Sequence, residues 1–170
     1  MNEGGIGAGV APSLTEVALP AWLREGTGLD RIDYSDSYVV ENIPAAQETT
    51  PEQWAREVLE RAPTAIRRRL PPGWFLLGLR HGSIRSPRYV LGWPIRQNTP
   101  ERIVLGAHSR VGMPAELVFA RDGDGWLFAT LIQQDNRIMS SLWRAIAASH
   151  RRVVRYLLRS AATRVTPAHA

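Results

Sequence analysis

Residues 138–163, IMSSLWRAIAASHRRVVRYLLRSAAT, form the stretch that decides the fold of this chain. At about 100° per residue, a helix here would carry its apolar side chains on one stripe and its arginines on the opposite side. The stripe contains Met139, Leu142, Ile146, His150, Val153, Leu157 and Ala161, and the arginine side contains Arg144, Arg151, Arg152, Arg155 and Arg159. At about 1.5 Å per residue the helix would be roughly 39 Å long. The rest of the chain must offer an apolar surface of that length, and a β-sheet can do so.

Strand-like runs precede the long helix, and short stretches of turn residues such as DGDG at 122–125 separate them. These runs are residues 89–95, 102–108, 114–121 and 125–135. Successive strands joined by short turns predict an antiparallel meander. An earlier strand is predicted over residues 31–41, where alternation places Asp36 within an otherwise apolar face.

Short helices are predicted between the first strand and the meander. Thr50, Pro51 and Gln53 supply an N-cap, a first-turn proline and a capping-box partner for a helix over residues 51–61. A second short helix is predicted to begin at Pro63 and to be stopped by the sequence PPG at 71–73. Residues 74–80 are apolar but few, and we expect a helical turn there.

The N-terminal residues lack a clear period. Residues 1–28 are rich in Gly, Ala and Pro, so we expect a flexible tail that ends in a short docked segment around Trp22 and Leu23. Residues 29–165 are predicted to form one domain, and residues 166–170 a C-terminal tail.

Composition narrows the classes of function. The chain has 170 residues, 44% of them hydrophobic, which suffices for one domain with a core. It contains no cysteine, which excludes disulfides, thiolate zinc sites and cysteine nucleophiles. Because there is no run of about 18 apolar residues and no secretory signal pattern, we expect no membrane span and a cytoplasmic protein. The net charge of +5 comes from arginine alone, and we prefer a solvated surface over an anionic partner as its explanation.

Five segments carry a resemblance to a known family. They are DYSDSY at 33–38, PEQWA at 51–55, VLGAHSR at 104–110, TLIQQDN at 130–136 and SHRRVVRYLLRSAA at 149–162. Together they resemble an uncharacterised bacterial family that is similar to the START-like, polyketide-cyclase-like (SRPBCC) superfamily. The resemblance implies an α+β helix-grip fold, in which a curled antiparallel sheet packs on a long C-terminal helix and short helices follow the first strand. It also implies either a hydrophobic-ligand carrier or a cyclase or dehydratase, since the superfamily contains both kinds of protein.

His150 is the main candidate for chemistry, because it lies on the apolar stripe of the long helix. An imidazole facing a cavity could bind a ligand carbonyl or act as acid or base; the alternative is a histidine bonded within the core. On the last strand, we expect the face of Trp126 to point toward the helix, and the face of Leu127 to meet solvent, a packed loop or a partner subunit. The predicted cavity lining is His150, Trp126, Phe128, Thr130, Gln134, Ile146 and Met139.

Other chemistry finds little support in the sequence. Asp30, Asp33 and Asp36 lie close together along the chain, but Asp33 would point away from the others in a strand, so they make a poor acid–base pair. The remaining histidines have no metal-ligand spacing, and no nucleophile or phosphate-loop motif occurs. We therefore expect no metal and no cofactor.

These patterns favour a protein that binds a small, largely apolar molecule between the sheet and the C-terminal helix. One alternative is a cyclase or dehydratase that uses the same cavity. Another is an interaction module, either a homodimer formed through the spare sheet face or an anion-binding arginine face on the helix. Nucleic-acid binding is disfavoured, because aromatic residues are scarce on the arginine face.

Overall fold

A computed structural model describes residues 10–43, 46–83 and 86–165. Within these residues the chain forms an α+β structure, an open, curled antiparallel sheet of seven strands against which a long C-terminal helix packs. The strands are β1 (Ser13–Glu16), β2 (Tyr34–Glu41), β3 (Tyr89–Val90), β4 (Trp93–Asn98), β5 (Arg102–Ala107), β6 (Ala115–Asp122) and β7 (Gly125–Ile132). The helices are α1 (Ala21–Glu25), α2 (Pro51–Leu59), α3 (Thr64–Arg67), α4 (Leu70–Leu76) and α5 (Arg137–Val165).

The sheet has the strand order β1-β2-β7-β6-β5-β4-β3. The strands from β4 to β7 follow one another as the predicted antiparallel meander. The single strand predicted over residues 89–95 is instead divided into β3 and β4 by a turn at Leu91 and Gly92. The earlier strand β2 then pairs with β7, which places Asp36 directly opposite Thr130. The earlier strand β2 and the last strand of the meander, β7, therefore lie side by side at the centre of the site described below.

The predicted long helix is confirmed as α5. Asn136 caps it, since its Oδ1 accepts a hydrogen bond from the Met139 backbone N–H at 3.0 Å. The buried side is turned slightly from the predicted stripe: Trp143, Val154 and Leu158 are buried, whereas Met139 is half-buried. The large indole of Trp143 belongs to the core cluster on this side of the helix. In the described part of the chain, no helix is both long and apolar enough to cross a membrane.

The prediction that the Trp126 face of β7 points toward the helix is confirmed. Trp126, Phe128 and Ile132 belong to the same buried cluster as the inner side of α5. The opposite face of β7, including Leu127 and Leu131, packs in a second cluster. Of the three coverings considered for that face, a packed segment of the chain itself is the one observed.

The docking expected around Leu23 is observed, but residues before it that were predicted as a flexible tail also pack on the sheet. Ser13–Glu16 pair with β2 as an edge strand, and Leu23 of α1 is buried against the outer face of the sheet. Val17 and Leu19 pack on the same cluster. The apolar outer face needs a cover, and this stretch supplies it despite its Gly- and Pro-rich surroundings. The remaining tail residues 1–9 and the C-terminal tail 166–170 lie outside the described residues.

The helices after β2 confirm one prediction and correct another. Thr50 and Gln53 form the expected capping box at the start of α2. However, Pro71 does not stop a helix; it lies in the first turn of α4, which continues to Leu76. A proline is compatible with the first turn of a helix, because the N–H groups there have no intrahelical acceptor.

The outer strands of the sheet are short or irregular. β1 has four residues and β3 has two. β4 contains Pro94, and its register with β5 shifts between Ile95 and Gln97.

Candidate functional site

Four polar or aromatic side chains meet where α5 crosses β2 and β7. His150 Nε2 lies 3.1 Å from Asp36 Oδ2 and 3.2 Å from Thr130 Oγ1. Tyr34 Oη donates a hydrogen bond to the same Asp36 oxygen at 2.7 Å. The pairing of β2 with β7 places Asp36 opposite Thr130, and α5, which packs on the sheet, contributes His150. The arrangement therefore depends on the packing of α5 against the pair of strands.

Asp36 is ionised although its side chain is only 2% exposed. Desolvation by burial is the largest influence on the Asp36 pKa and raises it. The hydrogen bond and charge of His150, followed by hydrogen bonds from Tyr34 and Thr130, outweigh that influence, so the pKa lies below the ordinary value. Asp36 Oδ1 is buried without a hydrogen-bond partner among the described residues. The carboxylate thus retains capacity to accept one more donor.

Tyr34 is held as a neutral donor. Burial and then the neighbouring Asp36 raise the pKa of its phenol well above the ordinary value. Its ring also packs edge-on against Trp143, with the ring centroids 4.9 Å apart, and Trp143 lies 5.0 Å from the His150 ring. The imidazole is therefore confined by aromatic rings on one side and by the carboxylate on the other.

These contacts decide which nitrogen of His150 is available to a ligand. A carboxylate only accepts hydrogen bonds, so the Nε2 atom beside Asp36 carries a proton. The other nitrogen, Nδ1, is left to contact a ligand, as a lone-pair acceptor or as a proton donor when the ring is charged. His150 is 23% exposed at its side chain, which leaves it accessible.

An apolar cavity adjoins His150 between α5, the sheet and the short helices. Its volume is about 50 Å³. The lining consists of Val58, Leu59, Leu70, Trp74, Leu117, Phe128, His150, Val153, Val154, Leu157 and Leu158. His150 is the one residue of this lining with an ionisable side chain. This space holds one or two waters or a very small group, so a larger ligand needs the lining to move.

No family model matches this chain. No curated protein and no solved structure matches it either. The resemblance to the helix-grip superfamily therefore stays a prediction, and functional assignment rests on the contacts of this chain.

The structure unites some of the predicted cavity residues and separates others. Phe128 and His150 line the cavity, and Thr130 contacts His150 from below. Trp126 is fully buried and stacks on Trp54 of α2, outside the cavity lining. Gln134 follows the end of β7, where its backbone N–H donates to Asp33. The side chains of Met139 and Ile146 pack on the core, also apart from the cavity lining.

Sequence reasoning missed Asp36 and Tyr34 as site residues. The available signal was a carboxylate within the apolar face of β2 and a histidine within the apolar stripe of α5. Each residue is costly to bury alone, and their pairing removes part of that cost. The prediction that Asp36 forms no acid–base pair considered only Asp30 and Asp33, whereas the observed partner of Asp36 is His150. No group of three or more potential metal ligands occurs among the residues that the structure describes.

Proposed function

We propose that this protein binds a small, largely apolar molecule in the space between the sheet and α5, as the START-like resemblance implies. The observation that supports the proposal is an apolar cavity with one oriented imidazole, His150, in its lining. Apolar walls provide affinity because they bury the apolar surface of the ligand, whereas a single fixed polar group determines the orientation of the ligand. Asp36 and Thr130 hold the ring, so the polar contact is preorganised.

The cavity volume limits how such a molecule enters. Leu70 and Trp74 belong to α4, which is only seven residues long, and both are partly exposed. Movement of this short helix would enlarge the cavity without disturbing the paired strands. The ligand then occupies the space between α4 and α5, with its polar group at His150.

Filling the cavity is expected to prevent ligand retention. In Val153→Phe, the added ring occupies the apolar space beside His150, because Val153 lines it. Solvent extraction and mass spectrometry of purified wild-type protein should yield a stoichiometric small molecule that Val153→Phe lacks. Ala148→Phe makes a similar addition on the exposed side of the same helix and should retain the molecule. Equal recovery from both variants, or none from the wild type, would contradict the proposal.

General acid–base catalysis is a second candidate, and the Asp36–His150 pair favours it. A carboxylate that fixes one imidazole nitrogen orients the other for proton transfer and stabilises the charged ring. In such an enzyme, His150 would exchange a proton with the bound molecule, and Asp36 would act as a positioning residue. The same chemistry is expected of a cyclase or dehydratase.

Replacing His150 by glutamine separates the two functions. If the extracted molecule is a substrate, incubation with wild-type protein should convert it, and His150→Gln should slow conversion by roughly 100-fold or more. Ligand affinity should change by only a few fold, because glutamine keeps a polar side chain in the cavity. Unchanged conversion in His150→Gln would exclude His150 as the acid or base, and absence of conversion in the wild type would leave a carrier.

A further inference from the structure

Several large apolar side chains are exposed at one corner of the molecule. Six large hydrophobic residues are exposed among the described residues, and three of them, Phe75, Val111 and Ile138, lie here. Phe75 is 72% exposed and Ile138 is 75% exposed. Such protruding side chains cost solubility unless something covers them, and clusters of them commonly mark an interaction surface.

Hydrogen bonds bring the three segments that carry these residues to the same corner. The Arg110 backbone N–H donates to Gly78 O at 2.8 Å, which ties the loop after β5 to the end of α4, just beyond Phe75. The side chain of Asn136 donates to Val111 O at 2.9 Å, which ties that loop to the start of α5, next to Ile138. The loop thus bridges the two helix ends. We call this corner, formed by Phe75, Arg80, Arg110, Val111, Arg137 and Ile138, the α4 corner.

Cations accompany the apolar residues. Arg80 and Arg110 line a groove of about 490 Å³ together with Phe75 and Val111, and its lining contains no acidic residue. Arg80, Arg110 and Arg137 are exposed, and none has an ion-pair partner among the described residues. Asp135, the acidic residue nearest in sequence to Arg137, is engaged by Arg31 and Gln133. The α4 corner therefore presents uncompensated positive charge beside apolar tips.

We propose that the α4 corner docks on an anionic lipid surface, with Phe75, Val111 and Ile138 entering the headgroup region and the arginines contacting lipid phosphates. Protruding apolar side chains flanked by cations are the composition that interfacial membrane binding requires. Nucleic acid is the other anionic surface to consider. It fits less well, because two of the three tips are aliphatic and have no ring on which a base could stack.

The docking proposal stands on surface residues alone, so it does not depend on the ligand proposal. The cavity and the α4 corner nevertheless share the helix α4. Its Leu70 and Trp74 line the cavity, whereas its Phe75 belongs to the docking corner. Membrane contact at Phe75 would therefore act on the helix that closes the cavity.

Vesicle co-sedimentation with the full chain tests the proposal. The two probes are vesicles of phosphatidylcholine and vesicles of equimolar phosphatidylcholine and phosphatidylserine. Wild-type protein should sediment with the mixed vesicles only, and less as salt rises. The double variant Arg80→Glu/Arg110→Glu should weaken binding by roughly tenfold or more, since each cation near an anionic surface contributes about a fivefold factor. Phe75→Ser should weaken it by roughly tenfold through lost apolar insertion.

Matched variants elsewhere on the surface serve as controls. Arg152→Glu/Arg159→Glu makes the same net charge change on exposed positions of α5, and Tyr156→Ser removes another exposed ring. Both control variants should bind mixed vesicles with an affinity within about twofold of that of the wild type. Thermal unfolding checks the fold of each variant. If Phe75→Ser is unfolded, vesicle binding by Arg80→Glu/Arg110→Glu tests the proposal.

Three results would overturn the proposal. The first is no sedimentation with mixed vesicles at low salt. The second is equal loss in the control variants, which would mean diffuse charge attraction. The third is retention on duplex or single-stranded DNA that Arg80→Glu/Arg110→Glu abolishes, without vesicle binding, which would assign the corner to nucleic acid.

Discussion

Replacing Trp126 by alanine is expected to lower the free energy of unfolding by about 3–5 kcal/mol, a typical range for removing a large buried aromatic side chain. Trp126 is fully buried at the start of β7. Its ring stacks on Trp54 with centroids 5.8 Å apart, and the Arg121 guanidinium lies 5.2 Å above it. The change would thus open a cavity between α2 and the sheet and also remove a ring contact of Arg121. Denaturant unfolding at equilibrium measures the difference.

Trp22→Ala provides the matched control. Trp22 is 39% exposed and contacts the guanidinium of Arg102 at 5.3 Å from its ring centroid. Its removal should cost about 1 kcal/mol or less. A small loss for Trp126→Ala, comparable to that control, would show that Trp126 does not hold α2 to the sheet.

Replacing Asp36 by asparagine is expected to destabilise the protein by about 2 kcal/mol at neutral pH, because charge-assisted hydrogen bonds from Tyr34 and His150 become weaker neutral ones. The effect should depend on pH with a defined sign. The folded-state pKa of Asp36 is lowered, so the carboxylate contributes its full stability above the unfolded-state pKa of about 3.9. That contribution is lost as the pH falls through the lower folded-state pKa.

Denaturant unfolding of wild type and Asp36→Asn between pH 7 and strongly acid conditions tests this expectation. The stability difference between them should hold down to about pH 4–5 and shrink below that range. Asp122→Asn changes an exposed carboxylate at the end of β6, and at neutral pH it should alter stability by less than about 0.5 kcal/mol. A wild-type advantage that keeps growing below about pH 4 would contradict a lowered Asp36 pKa.

The sequence predicted the parts of the fold that local patterns determine. A helical period maintained from Met139 to Ala161 identified α5, and turn residues identified the meander from β4 to β7. The larger side chains on the Trp126 face also indicated which face of β7 points inward. For α5 the periodic apolar pattern extends over several turns, so a single exception does not hide it.

The missed features depend on distant partners. β1 has only four residues, and its strand conformation comes from pairing with β2 rather than from its own composition. A proline can end one helix or occupy the first turn of the next. Only the surrounding packing determines which of these positions Pro71 takes. The Asp36–His150 contact joins β2 to α5 and requires the register between β2 and β7, which neither segment specifies alone.

The short and irregular outer strands bear on how this protein avoids aggregation. An exposed strand edge is a template for pairing with another chain, and long flat edges are the most hazardous. Here one edge is the four-residue β1, and the other is the two-residue β3 beside β4, whose Pro94, register shift and exposed Arg96 interrupt a regular edge. Neither side offers a continuous row of free backbone groups to a second copy. The open sheet can therefore remain open without becoming a nucleus for fibril growth.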